Sequence, residues 1–191
     1  DAWSIMGWLK NDLAAATTSD WVFRAQGSWN VILISTKTAV MAQPAGRIQI
    51  EVLPVSPVSV SYKDLEWNNV IPDDTWVQFM FTYDGAVVGD PVKLYIDGVD
   101  QGVADTLTKD NAGSQDNTDL RQIQVGAVVP FGMGWWPGLM HQLSMWGNAL
   151  TAAEVLEVYN SGATGFNLLA NSGNYVSSAT LLHWWQLGQN V

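Results

Sequence analysis

The chain has no cysteine, which removes disulfide staples and thiolate metal sites together and leaves packing to hold the fold. It is also short of positive charge, with eight Lys and Arg against 18 Asp and Glu and a formal charge of -10. Those few basic residues are spread along the chain, so no patch is available to follow a phosphate backbone, which argues against a nucleic-acid partner. Long apolar runs are missing as well. Polar residues break each one well before the roughly 20 residues a membrane-crossing helix needs, so no membrane insertion is expected. Asp1 is preceded by neither an initiator methionine nor a charged leader. This is what a processed chain or a piece of a longer polypeptide would show, and the export route is not readable from it.

What is present is apolar and aromatic. At 191 residues and 48% apolar content, with eleven tryptophans, the chain can bury one substantial core, and one domain is expected. The block from Thr75 to Gly98 is the clearest local signal. Val77, Phe79, Phe81 and Tyr83 alternate with Trp76, Gln78, Met80 and Thr82. Val92, Leu94 and Ile96 alternate with Lys93, Tyr95 and Asp97. That period of two fits strands and would scatter on a helix. Asp84-Gly85 and Asp97-Gly98 are read as the positive-φ turns that close these strands.

Similar runs, punctuated by turn residues, predict strands at Trp3 to Lys10, Asp20 to Gln26, Trp29 to Ser35, Ala39 to Met41, Arg47 to Leu53 and Val58 to Tyr62. Further ones are expected at Asp100 to Ala104, Arg121 to Val125, Gly138 to Trp146 and Leu181 to Gln186. The fold class predicted is all-β, an antiparallel two-sheet β-sandwich or jelly roll. One helix interrupts it near 151–160: Thr151-Ala152-Ala153-Glu154 has capping-box spacing, Val155, Leu156 and Tyr159 can pack inward, and Gly162 offers a left-handed stop. The segment from Asp105 to Asp119 is read as the most polar loop.

The order TWVQFMFTYDG, VKLYIDG, then GLMHQLSMWGNALTAAEVLEVYNSG, with DAWSIMGWLK at the start, resembles the concanavalin A-like lectin/glucanase superfold, specifically laminin G-like (pentraxin-type) jelly rolls. Two departures stand out. His141 and Gln142 occupy positions where the family often carries an acidic pair. The family's opening strand is missing before Asp1, while LLHWWQLGQN at 181–190 looks like it. The expected organisation is therefore a laminin G-like domain over 1–165, followed by a segment, 166–191, that supplies a closing strand at 181–187 or begins another module.

The chemistry-bearing residues are few. Glucanases of this superfold carry E-x-D-x-(x)-E on one strand, which sends two carboxylates into one cleft. That motif is missing: Glu154 and Glu157 fall on the helix, and Glu51 and Glu66 are read as isolated. No catalytic residue is therefore assigned. No Ser-base motif surrounds His141 or His183, so both are read as structural. Calcium is the candidate cofactor, because Asp105, Asp110, Asn111, Asp116, Asn117 and Asp119 gather hard oxygen donors, and some laminin G-like modules bind calcium at a loop rim. The spacing fits no fixed metal pattern and equally suits a solvated loop. For sugar contact the candidates are Trp135 and Trp136, flanked by glycines, and Trp185 of the Trp184-Trp185 pair; core packing is the alternative for each. The function expected is non-catalytic recognition of a glycan or a surface protein within a larger extracellular or virion-exposed assembly. The alternative is structural decoration or a fibre role on a phage particle, with tryptophan-rich ends joining neighbouring subunits. A polysaccharide hydrolase is the third reading.

Overall fold

The computed structural model describes residues 2–11, 19–27, 30–37, 46–54, 63–87, 92–110, 120–126, 136, 138–161 and 166–187. In chain order the elements are β1 (Ala2–Lys10), β2 (Ser19–Gly27), β3 (Asn30–Lys37), β4 (Arg47–Pro54), β5 (Lys63–Trp67), β6 (Trp76–Asp84), β7 (Val92–Ile96), β8 (Val99–Asp100), β9 (Thr106–Asp110), β10 (Leu120–Val125), β11 (Leu139–Trp146), α1 (Ala152–Asn160) and β12 (Leu181–Trp185). They form two compact units. Among the described residues, no helix is long and apolar enough to cross a membrane.

One unit comprises Asp1–Lys10, Trp76–Val103 and Leu139–Val191. Its sheet runs β12-β11-β1-β6-β7-β8, every neighbour antiparallel. The alternation read in β6 holds, yet both of its faces are buried and only Trp76 is exposed. The reason is α1. Met6, Met80, Tyr95 and Trp146 present one face of the sheet to Val155 and Val158 of the helix and to Leu168 and Tyr175 beyond it. The opposite face buries Ile5, Phe79, Phe81 and Leu94. Gly7 permits close approach there, since a Cβ would lie 2.8 Å from the Phe79 ring.

The helix starts as the sequence predicts. Thr151 caps Glu154 N–H and the Glu154 carboxylate returns to Thr151 N–H, a complete capping box. It ends on Ser161, whose N–H bonds Glu157 O at 3.2 Å; the stop expected from Gly162 lies outside the described residues. The β7–β8 turn has Asp97 at φ 50 and Gly98 at φ 76, the two positive angles of a tight hairpin. Asp84-Gly85 departs from expectation, for neither residue has positive φ. There the Asp84 carboxylate accepts from Ala86 N–H at 3.0 Å, so a side chain closes the turn.

The other unit comprises Asn11–Thr75 and Ala104–Gly138, and its sheet runs β10-β2-β3-β4-β5-β9, again antiparallel. The strand reading needs correction in three places, two in this sheet and one, β8, in the first. β5, unexpected, forms from Lys63–Trp67 because Leu65 and Trp67 alternate with charged residues and are buried beside Ile50 and Ile48. β9, also unexpected, lies inside the segment read as a loop and pairs with β5. The strand predicted from Asp100 shrinks to the two residues of β8, after which Gly102 turns the chain at φ 70. The strands predicted at Ala39 to Met41 and Val58 to Tyr62 lie outside the described residues.

Candidate functional site

Alternation on β4 and β5 gives this second sheet one apolar and one polar side. Ile48, Ile50, Val52, Leu65 and Trp67 point one way, and Arg47, Gln49, Glu51, Asp64 and Glu66 the other. Cross-strand register sets Gln49 opposite Glu66 and Glu51 opposite Asp64, so three carboxylates share one patch. Glu66 therefore has an acidic neighbour two residues before it, and the reading of Glu51 and Glu66 as isolated is corrected. Two signals in the sequence pointed here, the D-x-E spacing of Asp64-Leu65-Glu66 and the polar alternation Arg47, Gln49, Glu51.

The patch is paired from within. Arg47 is 1% exposed and pairs with Glu66. Its guanidinium also donates to Gln49 Oε1 at 3.3 Å. Gln49 Nε2 in turn donates to Asp64 Oδ1 at 2.5 Å and Glu51 Oε1 at 3.1 Å. Asp64 and Glu66 are each 8% exposed. Burial lowers the Arg47 pKa, and the adjacent Asp64 and Glu51 carboxylates work against that shift. Further along the same sheet, Arg24 donates to Gln124 at 3.2 Å. A guanidinium buried with its carboxylate and bridged by an amide is a charge cluster that holds two strands in register. A catalytic pair would instead need acids open to a sugar and to water.

The residues singled out for sugar contact scatter. Trp136 is half-buried, with its N–H on Gly126 O at 3.0 Å, in the unit that carries β4 and β5. Trp135 lies outside the described residues. Trp185 is half-buried on β12, an edge strand of the other sheet, and stacks on exposed His183 at 5.0 Å. Of the calcium candidates, Asp105 is exposed and its carboxylate accepts Asn68 N–H at 2.7 Å. Asp110 belongs to β9 rather than to a loop. Asn111, Asp116, Asn117 and Asp119 lie outside the described residues. Among the described residues, no group of three His, Asp or Glu is arranged to hold a metal ion.

A second polar network ties the C-terminal segment to α1. Buried Glu154 accepts from Ser177 Oγ at 2.5 Å and Val176 N–H at 3.3 Å while still capping the helix. Burial alone would raise its pKa, but the hydrogen bonds from Ser177, Thr151 and Val176 prevail and hold it below the ordinary carboxyl value. Trp146 Nε1 donates to Tyr175 Oη at 2.9 Å, and that hydroxyl donates to Leu168 O at 3.0 Å. Burial pushes the Tyr175 pKa up. These bonds deliver the chain to β12, which pairs with β11. His141 Nδ1 contacts Leu187 O at 2.5 Å just beyond.

Comparison with known proteins agrees with this architecture. The family model of the concanavalin A-like lectin/glucanases superfamily, of laminin G type, matches residues 1–156. Among solved structures, a candidate carbohydrate-binding protein of Bacteroides ovatus aligns at TM-score 0.61 and 15% identity, covering 97% of this chain and 45% of that one. The binding domain of botulinum neurotoxin DC in complex with SialylT aligns at 0.55 and 12%, covering 84% and 35%. Domains LG4-5 of the mouse laminin alpha1 chain align at 0.52 and 8%, covering 80% and 37%. The chain thus spans less than half the length of each. No curated protein matches the sequence. The chain belongs to the concanavalin A-like lectin/glucanases superfamily, which bears out the resemblance and the all-β fold class read from the sequence.

Proposed function

We propose that this member of the concanavalin A-like superfamily is a non-catalytic recognition module that binds a glycan or a surface protein. The observation that carries the reading is the fate of its acids. Glu51, Asp64 and Glu66 share one side of a sheet, the arrangement a glucanase would exploit, but Arg47 and Gln49 occupy them and Asp64 and Glu66 are buried. The names of similar structures, one concerned with carbohydrate and one with a sialylated ligand, lend support. On this reading residues 166–191 belong to the same module and supply its edge strand, and the module works as part of a larger extracellular or virion-exposed assembly. Trp135, Trp136 and Trp185 remain the proposed ligand contacts and the Asp105 to Asp119 segment the proposed calcium rim.

The test is retention of the full chain on immobilised glycans, with calcium and with chelator. Binding to one sugar class supports the glycan version, and loss under chelator adds the calcium rim. Retention on none under either condition removes the glycan version.

A further inference from the structure

One end of the β11-β1-β6 sheet carries an exposed ring beside buried polar atoms that have no partner. Register places Leu139, Lys10 and Trp76 in one cross-strand row and His141, Trp8 and Gln78 in the next. By strand alternation all six project to the side on which α1 packs. The helix ends there, for Trp8 stacks on Tyr159 of its last turn at 6.0 Å. Beyond that contact the row opens, with Trp76 at 40% and Leu139 at 59% exposure. Trp76 is the one exposed residue of a strand whose next seven residues are all buried.

The inner row holds an anomaly. Gln78 is 1% exposed, and both atoms of its side-chain amide are buried without a hydrogen-bond partner. The Trp8 indole N–H beside it is in the same condition. Native folds seldom bury a primary amide and leave its donor and acceptor both unmet, so the group calls for a partner, whether water, ion or ligand. The required occupant has a flat apolar face for an indole and groups that both donate and accept hydrogen bonds. A pyranose has both. The six positions contain no carboxylate, and the chain's charge of -10 disfavours an anionic sugar at this surface.

We propose that this end of the sheet is a saccharide-binding shelf. Trp76 stacks on the C–H face of a neutral pyranose. Gln78, reached as the long side chain of Trp76 rotates aside, exchanges hydrogen bonds with its hydroxyls, and the Trp8 indole N–H donates to a third. The inference rests on the glycan reading above and adds a location, on different residues from Trp135, Trp136 and Trp185.

The experiment applies full-length wild type, Trp76→Ala and Trp76→Tyr to immobilised neutral β-glucan, mannan, galactan and chitin oligosaccharides. Trp76 is solvent-facing, so both variants fold, which circular dichroism verifies. The expected result is wild-type binding to one oligosaccharide class, a loss of about tenfold in Trp76→Ala, and recovery of most of it in Trp76→Tyr, the size a stacked ring contributes. In the same complex the Gln78 side-chain NH2 resonances shift on saturation. Undiminished binding by Trp76→Ala, or unmoved Gln78 resonances, overturns the shelf and leaves the glycan reading intact. Failure of the wild type to bind any of the four overturns the shelf; retention on no glycan at all overturns the glycan reading with it.

Discussion

The two sheets solve the problem of burying a polar side in opposite ways. On the β4–β5 patch, charges are buried with charges, with Arg47 against Glu66 and Gln49 spanning Asp64 and Glu51. On the α1 side of the other sheet, rings and methionines are buried, and two polar anchors among them, Glu154 and Tyr175, are held by hydrogen bonds, while the Gln78 amide and the Trp8 indole N–H are buried unmet. A paired charge cluster fixes register while adding little net stability, because desolvation consumes most of the Coulombic gain. An apolar layer with a few satisfied polar anchors supplies stability directly. The first arrangement fails badly when one partner is lost; the second fails in smaller steps.

The largest expected effect breaks the charge cluster. Arg47→Met leaves Glu66 and Asp64 buried without their cation and destabilises by roughly 3–5 kcal/mol in urea unfolding. The double variant Arg47→Met with Glu66→Leu recovers much of that loss, because the orphaned charge goes with its partner. A single variant as stable as wild type would show a cluster open to water, and the contrast between the sheets would collapse.

Next is Glu154→Ala, which removes the capping box and the tether to Ser177 and is expected to cost about 2–3 kcal/mol. Its folded pKa lies below the ordinary carboxyl value, so its contribution is complete above that value and lost as pH falls through the folded pKa. The gap in unfolding free energy between wild type and Glu154→Gln is therefore widest at neutral pH and narrows as the pH is lowered. A gap that stays as wide in acid would contradict the assignment. The smallest effect is that of Tyr175→Phe, which keeps the ring against Phe166 and Trp146 but gives up two hydrogen bonds. About 1–3 kcal/mol is expected, since the Trp146 N–H and Leu168 O are left buried; thermal unfolding measures it.

The same contrast explains what could be read from the chain beforehand. The apolar alternation of β6, the Asp97-Gly98 hairpin and the Thr151–Glu154 capping box are local signals, and each stands where the sequence put it. β5 and β9 were illegible because Asp64, Glu66, Lys109 and Asp110 disguise strands as polar loop, and only pairing across the sheet rescues them. The acid patch was legible only in part: Asp64-Leu65-Glu66 shows its spacing locally, but Glu51 and Asp64 meet through register, which no local window reports. The Trp76 shelf likewise needs three strands side by side before its rows exist.

The most direct test of binding without cleavage is a reducing-end assay on the full chain incubated with the polysaccharides that retain it. The account predicts retention with no reducing ends above the buffer control. Time-dependent release of reducing ends that disappears in Glu51→Gln or Glu66→Gln would contradict it, because those acids would then be working as a catalytic pair.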